Sequence, residues 1–190
     1  MAAVAATWVV DHRIERAALR NQQSNAFTRD VTKLGGGAGE DLAIAMALSG
    51  WLAHDKRLRM TGIEAVEADI WASQVVAPLL KAAFHRRRPN GGSGSFPSSH
   101  ATSAWALATV IATRYDEHAA VPVIVYSLAT TVSLARVNDH VHWASDVVAG
   151  ALIGRAIGKG IVGRHLALMP TRHGFAVTWN ATMPPSDGYP

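Results

Sequence analysis

Apolar and polar positions recur at helical intervals along almost the whole chain, and sustained period-two alternation is absent. Val10, Ile14, Ala17 and Ala18 repeat with Arg and Glu between them, which predicts an amphipathic helix over 11–23. Ser24-Asn25 offers a cap for a short second helix over 26–34, which Gly35-Gly36-Gly37 ends. No Gly-Lys-Ser/Thr follows that triplet, so it reads as a turn and not as a phosphate loop. Residues 40–53 are apolar nearly throughout, which predicts a central helix, and 54–59 an exposed turn. Ile63, Val66, Ile70, Trp71, Gln74 and Val75 carry the next helix as far as Pro78, whose missing donor kinks or breaks it. A separate or bent helical piece over 79–87 carries Lys81 and stops before Pro89, and the Gly- and Ser-rich stretch 90–96 forms a loop. Helices follow over 98–115, 119–135 and 139–162. Beyond Pro170 an irregular tail over 170–190 is expected, with a weak alternation at Phe175, Val177 and Trp179.

Composition narrows the chemistry. A chain of 190 residues, 49% hydrophobic, can bury one substantial core, which predicts a single domain over 1–169 ahead of the tail. The absence of cysteine rules out disulfides, thiolate metal sites and a cysteine nucleophile. A net charge of +4 favours anionic partners such as acidic lipid headgroups or phosphorylated small molecules. Mean hydropathy is slightly positive at +0.11, yet no apolar run reaches the roughly 20 residues of a membrane span. The longest, 119–135, contains Pro122 and several Ser and Thr, so the runs suit core helices of a soluble bundle, at most docked on a bilayer. Residues 1–6 carry no basic segment ahead of an apolar one, which predicts a cytoplasmic chain or one whose targeting segment precedes this numbering.

Three separated clusters hold phosphate-seeking residues. Lys81 and Arg88 are spaced so that, in a helix, they point within about 20° of each other and their long stems can converge on one dianion. The bland alternative is that His85-Arg86-Arg87-Arg88 forms a solvated basic face, against which the second cluster weighs by arriving within a short loop. Pro97-Ser98-Ser99-His100 opens an apolar helix, where a Ser98 cap, the Ser99 amide and the positive end of the helix suit an anion. In the third cluster, His142 and Asp146 share a helix face, close enough for the carboxylate to accept a bond from one ring nitrogen and leave the other free as nucleophile or base. Arg136 faces away unless the helix breaks between them, and Asn138-Asp139 supplies a cap there.

Other constellations fit less well. His140 and His142 face apart in a helix, which works against a metal site with Asp146. A hydrolase built on Ser98 or Ser99 lacks the Gly-x-Ser-x-Gly elbow. The basic run has no aromatic platform or recognised module for nucleic acid.

Taken in order, the clusters resemble the type 2 phosphatidic acid phosphatase (PAP2) superfamily, which also contains bacterial acid phosphatases and vanadium-dependent haloperoxidases. Its pattern of Lys-x6-Arg-Pro, Pro-Ser-Gly-His and Ser-Arg-x5-His-x3-Asp stands here as Lys81 with Arg88-Pro89, Pro97-Ser98-Ser99-His100, and Ala135-Arg136 with His142 and Asp146. Ser99 replaces a glycine, which strains the backbone if that position needs φ > 0. Ala135 replaces a serine. The resemblance implies an all-α bundle of about six or seven helices with the site at one end. It implies His142 as the nucleophile forming a phosphohistidine, Asp146 orienting it and His100 as general acid. Lys81, Arg88, Arg136, Ser98 and Ser99 would hold the phosphoryl oxygens. It further implies a metal-independent phosphatase acting on phosphatidic acid, an isoprenyl diphosphate or soluble monoesters, with vanadate as a phosphate analogue and a periplasmic, cell-envelope location. The alternatives are a haloperoxidase, which the short 90–96 connection disfavours, and a non-catalytic binder of anionic headgroups.

Overall fold

The computed structural model describes residues 2–20, 26–163, 166–171 and 174–179. In chain order they form α1 (Ala2–Arg20), α2 (Ala26–Lys33), α3 (Gly37–Leu52), α4 (Lys56–Asp69), a π-helical segment (Ile70–Val76), α5 (Ala77–Phe84), α6 (Ser99–Arg114), α7 (Ala120–Asn138) and α8 (Ala144–Val162). The molecule is a helical bundle, as its periodicity requires. The Ser24-Asn25 cap lies outside the described residues.

The central helix is α6 and not α3, which corrects the expectation for 40–53. Helix α3 buries only Gly39, Ala43 and Gly50, and turns Leu42, Leu48, Trp51 and Leu52 outward. Helix α6 is buried almost throughout because its Ala, Ser and Thr side chains let neighbours approach from every side. Gly150, Gly154 and Gly158 bring α8 against it. A β-carbon would stand 2.9 Å from the Ser98 carbonyl oxygen at Gly150, 2.7 Å from that of Ala106 at Gly158, and inside that of Thr102 at Gly154. One core cluster joins α3, α4, the π segment, α6 and α8 through Ala43, Ala68, Trp71, Leu107, Val110 and Ile157. A second joins α2, α6 and α7 through Val31, Ala104, Ala129 and Val132.

Several boundaries move for identifiable reasons. The exposed turn of 54–59 shrinks, because Asp55 caps α4 by accepting the Leu58 N–H at 2.9 Å. Pro78 does not break the helical path: it falls in the first turn of α5, where no donor is needed, and the wider π turns precede it. Helix α5 ends at Phe84, three residues sooner than expected, since His85 adopts a left-handed conformation with φ 47°.

Where an irregular tail is expected from 170, β1 (Leu166–Thr171) and β2 (Gly174–Trp179) pair antiparallel, from Leu166↔Trp179 to Thr171↔Gly174. The Phe175, Val177, Trp179 alternation is therefore a strand.

The expectation that no apolar run could span a membrane also fails. Helix α7 is long and apolar enough to cross one, with a mean hydropathy of 1.6 and only 17% of that stretch buried. Pro122 sits in its first turn, and the hydroxyls of Thr130, Thr131 and Ser133 return to the carbonyls of Tyr126, Ser127 and Ala129 at 2.7, 2.8 and 2.9 Å. The residues that made the run look polar are thus internally satisfied. Val123, Ile124, Leu128 and Leu134 stand exposed along α7.

Candidate active site

The three clusters meet at one end of the bundle, where α5 and α7 finish and α6 and α8 begin. Lys81 lies near the end of α5, and Arg88 follows in the loop. Their convergence is not helical, since the helix has stopped; it comes from the fold of 85–94. The Arg88 N–H donates to the Gly92 carbonyl at 2.7 Å, and the Asn90 N–H donates to the His140 carbonyl at 3.1 Å, which ties the first cluster to the third. Gly94 lies against the Lys81 stem at φ +65°, a left-handed conformation in which any side chain would be strained.

The second cluster forms the expected helix start. Ser98 is fully buried in extended conformation, its Oγ accepts from the Ala101 N–H at 3.4 Å, and Ser99 opens α6. Among the described residues other than glycine, positive φ occurs only at His54, His85 and His140, so Ser99 is unstrained in place of the family's glycine. The N–H groups of the first turn have no helical acceptor and face the same end as the cations.

The third cluster departs from the helical picture. Arg136 and His142 are separated by a break, as required, but α8 begins at Ala144 and not at Asn138-Asp139. Asp146 itself closes that first turn by accepting the Trp143 N–H at 2.9 Å. His142 precedes the helix, and its Nδ1 lies 3.8 Å from the Asp146 carboxylate, beyond hydrogen-bond range. The atom that receives the Nδ1 proton is the Ser95 carbonyl oxygen, at 2.8 Å. A carbonyl can only accept, so the proton resides on Nδ1 and the Nε2 lone pair is free. Asp146 acts at one remove, through the Ser95 hydroxyl that donates to its Oδ2.

Behind Asp146 lies a buried network. Arg86 donates from Nη1 to Asp146 Oδ1 at 2.6 Å and to Ser145 Oγ at 2.7 Å, and from Nη2 to Asp11 Oδ2 at 2.7 Å. Asp11, on α1, also accepts the Ser145 N–H at 2.9 Å. Arg86 is 14% exposed, Asp11 2% and Asp146 0%. A solvated face over His85-Arg86-Arg87-Arg88 therefore holds for His85 and Arg87 but not for Arg86 or Arg88. Neither Ser95, Asp11 nor Arg86 stands out in the sequence, and only the run of basic residues beside Arg88 hinted at the last.

Electrostatics confirm that the motif side chains share one field. Burial lowers the affinity of His142 for a second proton, Asp146 works against that, and Arg88 and Arg136 add to it. His100 is pushed down to about 4 by burial and by Arg136, His142, Lys81 and Arg88. Lys81 is lowered by burial, then by Arg88 and Arg136. Burial alone would raise Asp146, but the His142, Ser95, Trp143 and Arg86 groups together hold it below the ordinary carboxylate range. The Nε atoms of Arg88 and Arg136 are buried without a protein partner. The five motif side chains thus lie within one another's electrostatic reach.

Gly35-Gly36-Gly37 is the expected turn, and it closes over His100. A β-carbon on Gly35 would reach 2.6 Å from the His100 carbonyl oxygen, and one on Gly36 would stand 3.5 Å from His100 Nε2. His140 is 9% exposed with both ring nitrogens unpartnered, and among the described residues no group of three or more His, Cys, Asp or Glu is placed to hold a metal.

Known proteins bear on this geometry. A stretch of 81 residues, 42% of this chain, is 36% identical to the lipid A 1-phosphatase of Porphyromonas gingivalis, and the match spans 18% of that protein's length. The fold is similar to that of the transmembrane PAP2-type phosphatidylglycerolphosphate phosphatase of Bacillus subtilis, with a TM-score of 0.71 and 22% identity over 84% of this chain and 86% of that one. It is also similar to LpxE of Aquifex aeolicus, with a TM-score of 0.67 and 20% identity over 80% of this chain and 94% of that one. The PAP2 superfamily model matches residues 71–169, from the π segment through all three clusters and past α8 into β1, and the chain belongs to that superfamily.

Proposed function

We propose that this protein is a membrane-associated phosphatase that hydrolyses a phosphate mono- or diphosphate ester, in particular a lipid phosphate, through a phosphohistidine on His142. The observation that carries this reading is the 2.8 Å bond from His142 Nδ1 to the Ser95 carbonyl, which leaves an unprotonated Nε2 on a ring within electrostatic reach of Arg88 and Arg136. The Nε2 lone pair attacks phosphorus, the ester P–O bond breaks, and the leaving oxygen takes a proton from His100. Water then attacks the phosphohistidine, His100 receives the water proton, and the P–N bond breaks to release phosphate. The cations, the Ser98 cap and the Ser99 amide hold the three non-reacting oxygens, where most of the rate enhancement of phosphoryl transfer arises. No step calls on a metal, so turnover is expected to persist in EDTA.

His100 is neutral in the empty cage at neutral pH. Burial and the neighbouring groups hold the second proton off, and a bound phosphate dianion adds an attraction that opposes them, so the substrate draws in the proton that its own leaving group needs. Two observations favour a lipid substrate at a membrane: the exposed apolar faces of α3 and α7, and relatives named for lipid A and phosphatidylglycerolphosphate. Cell-envelope membranes fit this reading, with the site on the periplasmic side by family resemblance. The test is phosphate release from phosphatidic acid, an isoprenyl diphosphate and soluble monoesters in EDTA, with acid-labile phosphate trapped on His142. His142→Ala should abolish turnover and retain vanadate binding. Full activity of that variant refutes the assignment, and binding without turnover by the unaltered protein marks a headgroup binder.

A further inference from the structure

Beyond the phosphate-binding residues, an open groove of about 480 Å³ runs from His100 across the α2–α3 turn, lined by Thr32, Lys33, Gly36, Gly37, Ala38, Asp41 and His100. We infer that this groove receives the leaving group, and that it selects an alcohol rich in hydroxyls, of the polyol or sugar kind, over an alkyl chain. The inference rests on His100 as the proton donor to the leaving oxygen. Because His100 forms one wall, a leaving group protonated there has the groove directly beside it, while the phosphoryl group stays on the side of Arg136 and His142.

The lining decides the chemistry. Its largest apolar side chain is that of Ala38, so an alkyl chain would find nothing to pack against. One cation, Lys33, and one carboxylate, Asp41, stand at the rim, and both can bond hydroxyls. Helix α3 has no side-chain cap at Gly36, so the Ala38 N–H in its first turn offers a donor beside the same space. The apolar cleft between α3, α6 and α7, lined by Leu34, Leu42, Leu107, Ala108, Leu128 and Val132, uses other residues of the same segment and is a different place. The glycines explain themselves on this reading: a side chain on Gly36 would crowd the ring of His100, whereas a β-carbon on Gly37 meets nothing within 4 Å and would point into free space.

Gly37 therefore allows the groove to be filled without touching the cage. The full chain in detergent micelles is assayed on methyl phosphate, glucose 1-phosphate and octyl phosphate, alongside the lipid panel, as the unaltered protein and as Gly37→Leu and Gly37→Trp. A preference for glucose 1-phosphate over octyl phosphate is expected. Gly37→Trp should lower kcat/KM on glucose 1-phosphate about tenfold or more, the scale at which pocket contacts discriminate, with a smaller loss in Gly37→Leu. Methyl phosphate turnover and vanadate inhibition should not change, which also shows that the variants are folded. Equal losses on all three esters, no loss on glucose 1-phosphate, or a native preference for octyl phosphate overturns the groove assignment and leaves the phosphatase standing. No phosphate release from any ester or lipid by the unaltered protein overturns both.

Discussion

Arg86 and Arg87 are adjacent in one basic run, and the structure predicts opposite consequences for their loss. Arg86→Ala removes the guanidinium that bridges two buried carboxylates, Asp11 and Asp146. Orphaning one partner of a buried ion pair costs about 3–5 kcal/mol. Asp146 retains its bonds from the Ser95 hydroxyl and the Trp143 N–H, and Asp11 those from Ser145, so the lower end, about 3 kcal/mol, is expected. For a chain of this length that corresponds to a fall in Tm of about 6–12 °C. Asp146 also anchors Ser95, whose carbonyl fixes His142, so kcat should fall about 100-fold, the penalty for a nucleophile displaced by 1 Å, with little change in KM. Arg87 contributes only its carbonyl oxygen, which accepts from Trp143 Nε1 at 2.8 Å, and Arg87→Ala should stay within about 0.5 kcal/mol. The pH dependence carries the sign. Asp146 is held below the carboxylate range, so its contribution is present above the unfolded pKa and is lost as pH falls through the folded one. Without Arg86 that loss moves to higher pH. Thermal unfolding from pH 3 to 8 with kcat and KM for each variant is the assay, and a double-mutant cycle with Asp11→Ala isolates the coupling. If Arg86→Ala and Arg87→Ala unfold at the same temperature and turn over equally, the buried network has no role.

Other expectations concern the cage and the packing. His100→Ala should slow hydrolysis about 100- to 10,000-fold on esters of poor leaving groups and much less on p-nitrophenyl phosphate; equal losses would remove it as general acid. His100 must be protonated to donate, so activity falls as pH rises through its pKa, from about 4 in the empty site to a higher value with phosphate bound. The alkaline limb should therefore lie at higher pH in kcat than in kcat/KM, and coincident limbs would contradict proton uptake with the substrate. Gly154→Val forces a side chain into the Thr102 carbonyl and should destabilise the bundle by about 1–3 kcal/mol, whereas Gly160→Ala, with open space around it, should not, as thermal unfolding of both would show.

What the sequence disclosed follows from the range of the interactions involved. Ser98 and its helix start are local, set within a few positions, and they stand where the pattern puts them. The helical bundle was legible for the same reason, since its period is read over one or two turns. Pro122 interrupts nothing because it falls in the first turn of α7, and Thr130 and Ser133 look polar in the sequence but spend their hydroxyls on bonds back along their own helix. The partner of the His142 ring was hidden: a backbone carbonyl has no side-chain signature, and Ser95 lies 47 positions away. Asp11 is 75 positions from Arg86 and 134 from Ser145, and from the sequence it is one more charged residue on an amphipathic helix.

The bond from α1 to Arg86 bears on how short a working version of this protein could be made. An excised piece spanning 71–169 would retain Lys81, Arg88, Ser98, His100, Arg136, His142 and Asp146, and by motif inspection it would look whole. It would nevertheless lack Asp11, leaving Arg86 with half its counter-charge and the Ser145 amide without an acceptor. It would also lack Ala43, Ala65 and Ala68, which close the core over Trp71. The motifs name the chemistry, but the smallest competent unit begins some sixty residues earlier, at or before Asp11.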